Sequence, residues 1–321
     1  MATDYPAPFI IPPRVSPHKQ TFIILHGRGA TGDKFGPVLL DTPIPHLPTS
    51  TAPSPEADDP SATTLASIFP HARFVFPSAA RRRATVYRRA YTHQWFDNWK
   101  LDPPATDRED LQIPGLRETT TYLHGLLRDE IALVPGGAAK VVLGGLSQGC
   151  AAALTALLLW DSEGRGAPRV AAFGMCGWLP YARRMSEQVE MDMARDGVGG
   201  MDGDDDSFDP FQRDEPGGEA TTSDEATEPF ALAVGWLRDE LGVVAKGTTS
   251  SPEETGLQTV PLCLGHGVLD DKVSVVLGQK ASRCLTELGI RVRWNEYESL
   301  AHWYSGPMLR DIVDFLHAET G

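Results

Sequence analysis

Short apolar runs rich in β-branched and aromatic residues recur at wide intervals along the chain: Thr21–Leu25, Ala72–Phe76, Lys140–Leu143, Val170–Met175, Val260–Leu264 and Ile290–Tyr297. Near-continuous apolar runs of this length, punctuated by Gly or Pro, are the pattern of strands buried on both faces. Helical patterns lie between several of them. Leu116–Leu133, Lys272–Leu288 and Pro307–His317 carry apolar residues at three- and four-residue spacing, and an Ala/Leu-rich stretch runs from Cys150 to Trp160. Strands alternating with helices predict an α/β fold, a mostly parallel central sheet with helices on both faces.

Two segments break the alternation. Residues 41–60 are rich in Pro, Ser, Thr and Ala and are expected to form a long surface loop. Residues 182–229 contain few large apolar side chains and are expected to be mobile. Phe230–Leu241, which follows, has the apolar spacing of a short amphipathic helix docking back on the body. The Pro-rich residues 1–20 read as an N-terminal extension, and 21–321 as a single domain carrying the insert at about 182–229.

Charge changes the picture only locally. The formal net charge is −14, yet Glu187 to Glu228 hold fifteen Asp/Glu against two Arg, a net of −13. The remainder is nearly neutral, and no broad basic face speaks for nucleic-acid binding. No apolar stretch has the length of a membrane span and the N-terminus lacks the pattern of a secretory signal, so a cytoplasmic location is expected. Cys150, Cys176, Cys263 and Cys284 have no metal-ligand spacing and read as reduced, mostly buried thiols. Neither a metal nor a cofactor is called for.

The chemistry centres on Gly145-Leu146-Ser147-Gln148-Gly149, set between a buried-strand pattern and a helix pattern. A serine hydroxyl becomes a useful nucleophile when a sharp strand-to-helix turn exposes it beside a base, and such a turn needs small neighbours. Downstream, one strand runs into Gly265-His266-Gly267-Val268-Leu269-Asp270-Asp271 and the last strand into Ser299-Leu300-Ala301-His302. An acid and an imidazole therefore follow the serine in that order, each past the carboxyl end of a strand, where open α/β sheets build their sites. Oxyanion donors are expected from the backbone N–H of Gln148 and from the loop His26-Gly27-Arg28-Gly29.

Six pieces occur in register: H-G-R-G-x-x-G, Gln94-Trp95-Phe96-Asp97, G-G-L-S-Q-G, Gly177-Trp178-Leu179-Pro180, H-G-x-x-D-x-x-V and the late Ala301-His302. Together they make the chain resemble the acyl-protein thioesterase and carboxylesterase family of α/β-hydrolases over nearly its whole length. The resemblance implies an α/β-hydrolase fold and a triad of Ser147, Asp270 and His302. It also implies that the N–H groups of Arg28 and Gln148 hold the oxyanion, and that thioesters or esters of acyl chains are hydrolysed. The D-x-x-V spacing to Val273 selects Asp270 over Asp271, which then caps the following helix. Arg28 stands where the family usually has an apolar residue, and the segment from Pro180 to Thr259 is several times longer than usual.

Trp95, Phe96 and Trp178 are assigned to an acyl-binding channel, the alternative being plain core. Five arginines within nine residues (Arg81, Arg82, Arg83, Arg88 and Arg89) read as a solvated loop, or as a contact for anionic headgroups at a membrane surface. The acidic insert is either decoration or a mobile lid. The expected substrate is an acylated protein or a small ester or lipid. Alternatives are a lysophospholipase, a metabolite-tailoring esterase or acyltransferase, and, outside enzymes, a catalytically silent binding protein on the same scaffold.

Overall fold

The computed structural model describes residues 4–45, 63–160, 171–198, 229–243 and 260–320. One seven-stranded sheet dominates them, in the order β1–β3–β2–β6–β7–β8–β9. Its strands are β1 (Phe9–Ile11), β2 (Gln20–Leu25), β3 (Ala72–Phe76), β6 (Val141–Leu146), β7 (Ala172–Met175), β8 (Leu262–Gly267) and β9 (Val292–Tyr297). β1 runs antiparallel to β3, and every other pairing is parallel. The six predicted strands are all present. β6 and β8 run further than predicted, to Leu146 and Gly267, which carries the chain to the rim where the chemistry sits.

The central strands are legible because they are buried throughout. β6 and β8 expose nothing, as a parallel strand covered on both faces must. Helices α1 (Gly32–Leu40), α3 (Gln112–Leu133), α4 (Gln148–Leu158), α7 (Val275–Glu287) and α8 (Gly306–Thr320) join the short α2 (Leu65–Ile68) around this sheet. Every residue of α4 is buried, the state expected of a helix that is apolar or small all round. It packs on β6 and is covered in turn by α3.

Four features depart from the sequence reading. Residues 1–20 are not wholly an extension outside the sheet, because Phe9–Ile11 pairs with Phe76–Phe74 as its edge strand. Tyr5 stacks on Tyr122 of α3 at 4.0 Å and hydrogen-bonds Thr119. The arginine run is a hairpin rather than a loop, with β4 (Arg81–Ala84) and β5 (Ala90–His93) forming a separate two-stranded sheet. Arg82 pairs with Glu118 at 2.5 Å, whereas Arg81, Arg83, Arg88 and Arg89 are exposed. The stretch from Ala182 begins as helix α5 (Ala182–Val198), because Met185 and Val189 supply a buried stripe. Finally, Ser274, not Asp271, caps α7 by accepting from the Val276 N–H.

Helix α6 (Pro229–Leu241) docks as its periodicity predicts. Phe230, Ala233, Val234, Leu237 and Leu241 are buried against α5 and α3. Trp236 meets Tyr181 edge-on, Arg117 of α3 donates to the Leu241 carbonyl, and Arg184 links Glu240 to the buried Glu109. The expectations for residues 46–60 and for the rest of the acidic insert, 199–228, fall outside the described residues. No helix among the described residues is long and apolar enough to cross a membrane.

Candidate active site

Ser147 follows β6 directly and precedes α4, at φ 56° and ψ −121°. A non-glycine residue rarely adopts this backbone conformation, and it costs on the order of 1–3 kcal/mol. The turn lifts the hydroxyl to the rim and lets α4 start immediately. Flanking glycines are a packing necessity. A Cβ on Gly145 would lie 2.5 Å from the Gly149 carbonyl, and one on Gly149 would lie 2.5 Å and 2.6 Å from the carbonyl oxygens of Leu25 and His26. Gly149→Ala is therefore expected to cost at least the upper end of the usual ~1–3 kcal/mol overpacking penalty. Chemical denaturation checks this, and an unchanged midpoint would contradict the assigned packing.

The three dispersed residues meet at this turn. His302 Nε2 lies 2.9 Å from Ser147 Oγ, and its Nδ1 lies 2.7 Å from Asp270 Oδ2. A carboxylate only accepts, so Nδ1 carries the proton and Nε2 is left to accept from the serine hydroxyl. Asp270 Oδ1 accepts from the backbone N–H groups of Lys272 and Val273 at 2.9 Å and 2.8 Å. Asp271 points to solvent and pairs with Lys272. Burial would raise the Asp270 pKa, but hydrogen bonds from His266, His302 and the Val273 N–H outweigh it and hold the carboxyl well below the ordinary range.

His266, which no sequence motif marks as part of the site, supports the acid. Its Nε2 lies 2.8 Å from the Val273 carbonyl and 3.2 Å from Asp270 Oδ2, so it anchors the acid as well as the loop. An imidazole four residues before the acid, at the end of the same strand, is the signal that could have pointed to it.

The loop after β2 borders the serine. A Cβ on Gly27 would stand 4.0 Å from Ser147 Oγ, so this loop passes beside the hydroxyl. Gln148 is the first residue of α4, and N–H groups in a first helical turn have no intrahelical partner. Arg28 and Gln148 both line the cavity of about 430 Å³ that contains Ser147 and His302. Trp178 and Trp303 form aromatic parts of its wall.

Trp95 and Phe96 do not line this cavity, which corrects their assignment to the channel. Both are fully buried and act as a clamp. The Trp95 N–H donates to Gln148 Oε1 at 3.0 Å, Gln148 Nε2 donates to the Phe96 carbonyl at 2.7 Å, and Trp95 Nε1 donates to the His26 carbonyl at 2.8 Å. Three groups around the turn are thus fixed by one stretch of chain. Of the three aromatic candidates, only Trp178 faces the cavity.

His26 braces the same loop. Nδ1 is 2.7 Å from the Gly27 carbonyl, and Nε2 accepts from the Ala79 N–H at 3.0 Å, a pattern that demands the neutral ring. Burial lowers its pKa to about 4 from an ordinary 6.5, against the smaller raising effect of the Gly27 carbonyl. The unfolded chain takes up this proton below about pH 6.5 and the folded protein only near pH 4, so stability falls as pH drops through that window. The loss is at most about 1.4 kcal/mol per pH unit. Urea midpoints of wild type and His26→Gln between pH 7.5 and 4.5 check it. Identical slopes for the two proteins would sink the assignment.

All four cysteines are free and buried, and burial pushes the Cys150, Cys176 and Cys263 thiols up to about 12. Among the described residues, no group of three or more His, Cys, Asp or Glu side chains is placed to hold a metal ion.

The sequence profile of the Phospholipase/Carboxylesterase family matches residues 58–195 and 242–320. The chain belongs to this family. Acyl-protein thioesterase 1 of Candida albicans is 22% identical over 307 residues, 95% of this chain and 94% of that protein. The Saccharomyces cerevisiae acyl-protein thioesterase 1 is 29% identical over 167 residues, covering 51% of this chain and 61% of the yeast protein. Among solved structures, Zea mays acyl-protein thioesterase 2 superposes with a TM-score of 0.61 at 21% identity, over 99% of this chain and 100% of that one. Arabidopsis thaliana SOBER1 gives 0.58 at 19% identity, over 94% and 100%. The fold is that of the α/β-hydrolases, and the chain is a phospholipase/carboxylesterase-family hydrolase. Residues 196–241, between the two matched stretches, hold α6 and most of the acidic insert.

Proposed function

We propose that this phospholipase/carboxylesterase-family protein is a serine hydrolase that cleaves carboxylic esters or thioesters through an acyl-enzyme. The observation that carries the reading is the continuous relay Ser147 Oγ to His302 Nε2 and His302 Nδ1 to Asp270, at 2.9 Å and 2.7 Å. Ser147 attacks the carbonyl carbon while its proton passes to His302 Nε2. Asp270 stabilises the resulting imidazolium, and the N–H groups of Arg28 and Gln148 receive the oxyanion. The imidazolium then protonates the departing alcohol or thiol. Water, deprotonated by the same ring, releases the acyl group as a carboxylic acid and restores Ser147. The names of the relatives favour an acylated protein as substrate; a lysophospholipid or a small ester taken from solution is the competing choice.

A fluorophosphonate probe that labels the wild type and not Ser147→Ala tests the nucleophile. Absence of labelling in both would favour a silent binding protein on a hydrolase scaffold. A panel of nitrophenyl esters, acyl thioesters and lysophospholipids then ranks the leaving groups.

A further inference from the structure

Arg28 is part of the wall of the 430 Å³ cavity. Its Nε is buried and has no hydrogen-bond partner. The guanidinium lies 5.6 Å from the centre of the Tyr87 ring, a half-exposed residue that also hydrogen-bonds the Arg28 side chain. Among the described residues, the carboxylate acting on Arg28 is Asp97, which does so electrostatically while its two oxygens accept from the N–H and hydroxyl of Thr85. Asp102 and Lys100 stand elsewhere on the cavity wall, and Asp271 at the rim is neutralised by Lys272. A cation therefore lines the same cavity as the nucleophile, with Tyr87 as its main partner, Asp97 acting on it only electrostatically, and a buried Nε left unpartnered.

Removing a guanidinium from water without a counter-charge is unfavourable, and burial lowers the Arg28 pKa accordingly. Arginine remains charged regardless. The planar fork is suited to receive two oxygens of a carboxylate or phosphate at once. We propose that Arg28 selects substrates carrying a carboxylate or phosphate a few bonds from the scissile carbonyl, making this an esterase or thioesterase for anionic substrates. The inference rests on the Ser147 reading and narrows it. A neutral acyl chain leaves the buried Nε without a partner. An anionic one satisfies it from the residue whose own N–H is assigned to the oxyanion, so on that reading the charge also fixes the carbonyl's orientation.

The anion can reside on the acyl part or on the leaving group, and three chromogenic esters separate these sources. They are 4-nitrophenyl butyrate, the 4-nitrophenyl monoester of glutarate, and 3-carboxy-4-nitrophenyl butyrate. One anionic ester is expected to exceed the neutral ester at least about tenfold in kcat/KM, the range of a charge-assisted contact at a half-buried site. That ratio should fall to within about threefold of unity in Arg28→Met and be partly kept in Arg28→Lys. Reading a ratio removes any general damage to the loop. No preference in the wild type, or a ratio unchanged in Arg28→Met, overturns the proposal.

Binding to Ser147→Ala, measured by calorimetry, keeps the test independent of turnover. The glutarate mono-butylamide should bind at least about tenfold more tightly than N-butylpentanamide, and this difference should vanish on adding Arg28→Met. Equal binding would overturn selection of an acyl-borne anion even if Ser147 proves to be the nucleophile, and without a preference for 3-carboxy-4-nitrophenyl butyrate it would overturn anion selection altogether. A tenfold difference that Arg28→Met abolishes would uphold it even if Ser147→Ala still turned over the esters and the nucleophile reading fell, and one that survives Arg28→Met would overturn it.

Discussion

Replacing Ser147 with alanine is expected to lower kcat by about 10⁴-fold or more on any ester the wild type hydrolyses, with little change in KM. The substitution removes the attacking oxygen but leaves His302 held by Asp270 and leaves both proposed oxyanion donors in place. Some acceleration over water should survive from those donors. The stronger form of the expectation concerns combination. His302→Ala should cost about as much as Ser147→Ala, and the double variant scarcely more, because a base without its nucleophile has nothing to deprotonate. Losses that multiply in the double variant would show that the two residues do not act as a unit.

The second large effect separates two adjacent acids. Asp270→Asn preserves shape, and the amide oxygen will stay where the Lys272 and Val273 N–H groups hold it. The amide NH₂ is then turned toward His302 Nδ1 and His266 Nε2. Facing a donor, His302 must put its proton on Nε2, where it can no longer accept from Ser147. A loss of about 10⁴-fold in kcat follows, the size expected of a wrong tautomer in such a triad. Asp271→Asn should remain within about fivefold of wild type, because its carboxylate faces solvent in an exposed pair with Lys272. Steady-state kinetics of the two variants decide the matter. A reversal of the two effects would reassign the acid.

How far these residues were legible follows from what kind of signal each carries. The buried strands at Phe22, Val142 and Cys263 announce themselves because both faces are apolar. Ser147, Asp270 and His302 are readable in order because each lies at the end of a recognisable strand. The three-residue strand Phe9–Ile11 has too few positions to show alternation, and its neighbourhood is dominated by prolines. The arginine hairpin hides for a different reason. Its alternation is polar against polar, and it is fixed by partners distant in sequence, Glu118 and Tyr5 for Arg82 and Asp97 for Thr85. Trp95 and Phe96 were misplaced because an aromatic pair near a site motif reads equally as pocket wall or as buried brace. Hydrogen bonds to Gln148 and His26 decide for the brace, and no spacing rule contains them.

The backbone angles at Ser147 also carry an evolutionary implication. A glycine there would relieve the turn of its unfavourable geometry, yielding a sturdier molecule with no hydroxyl to offer. Keeping serine at this spot means accepting a permanent thermodynamic handicap in exchange for the nucleophile.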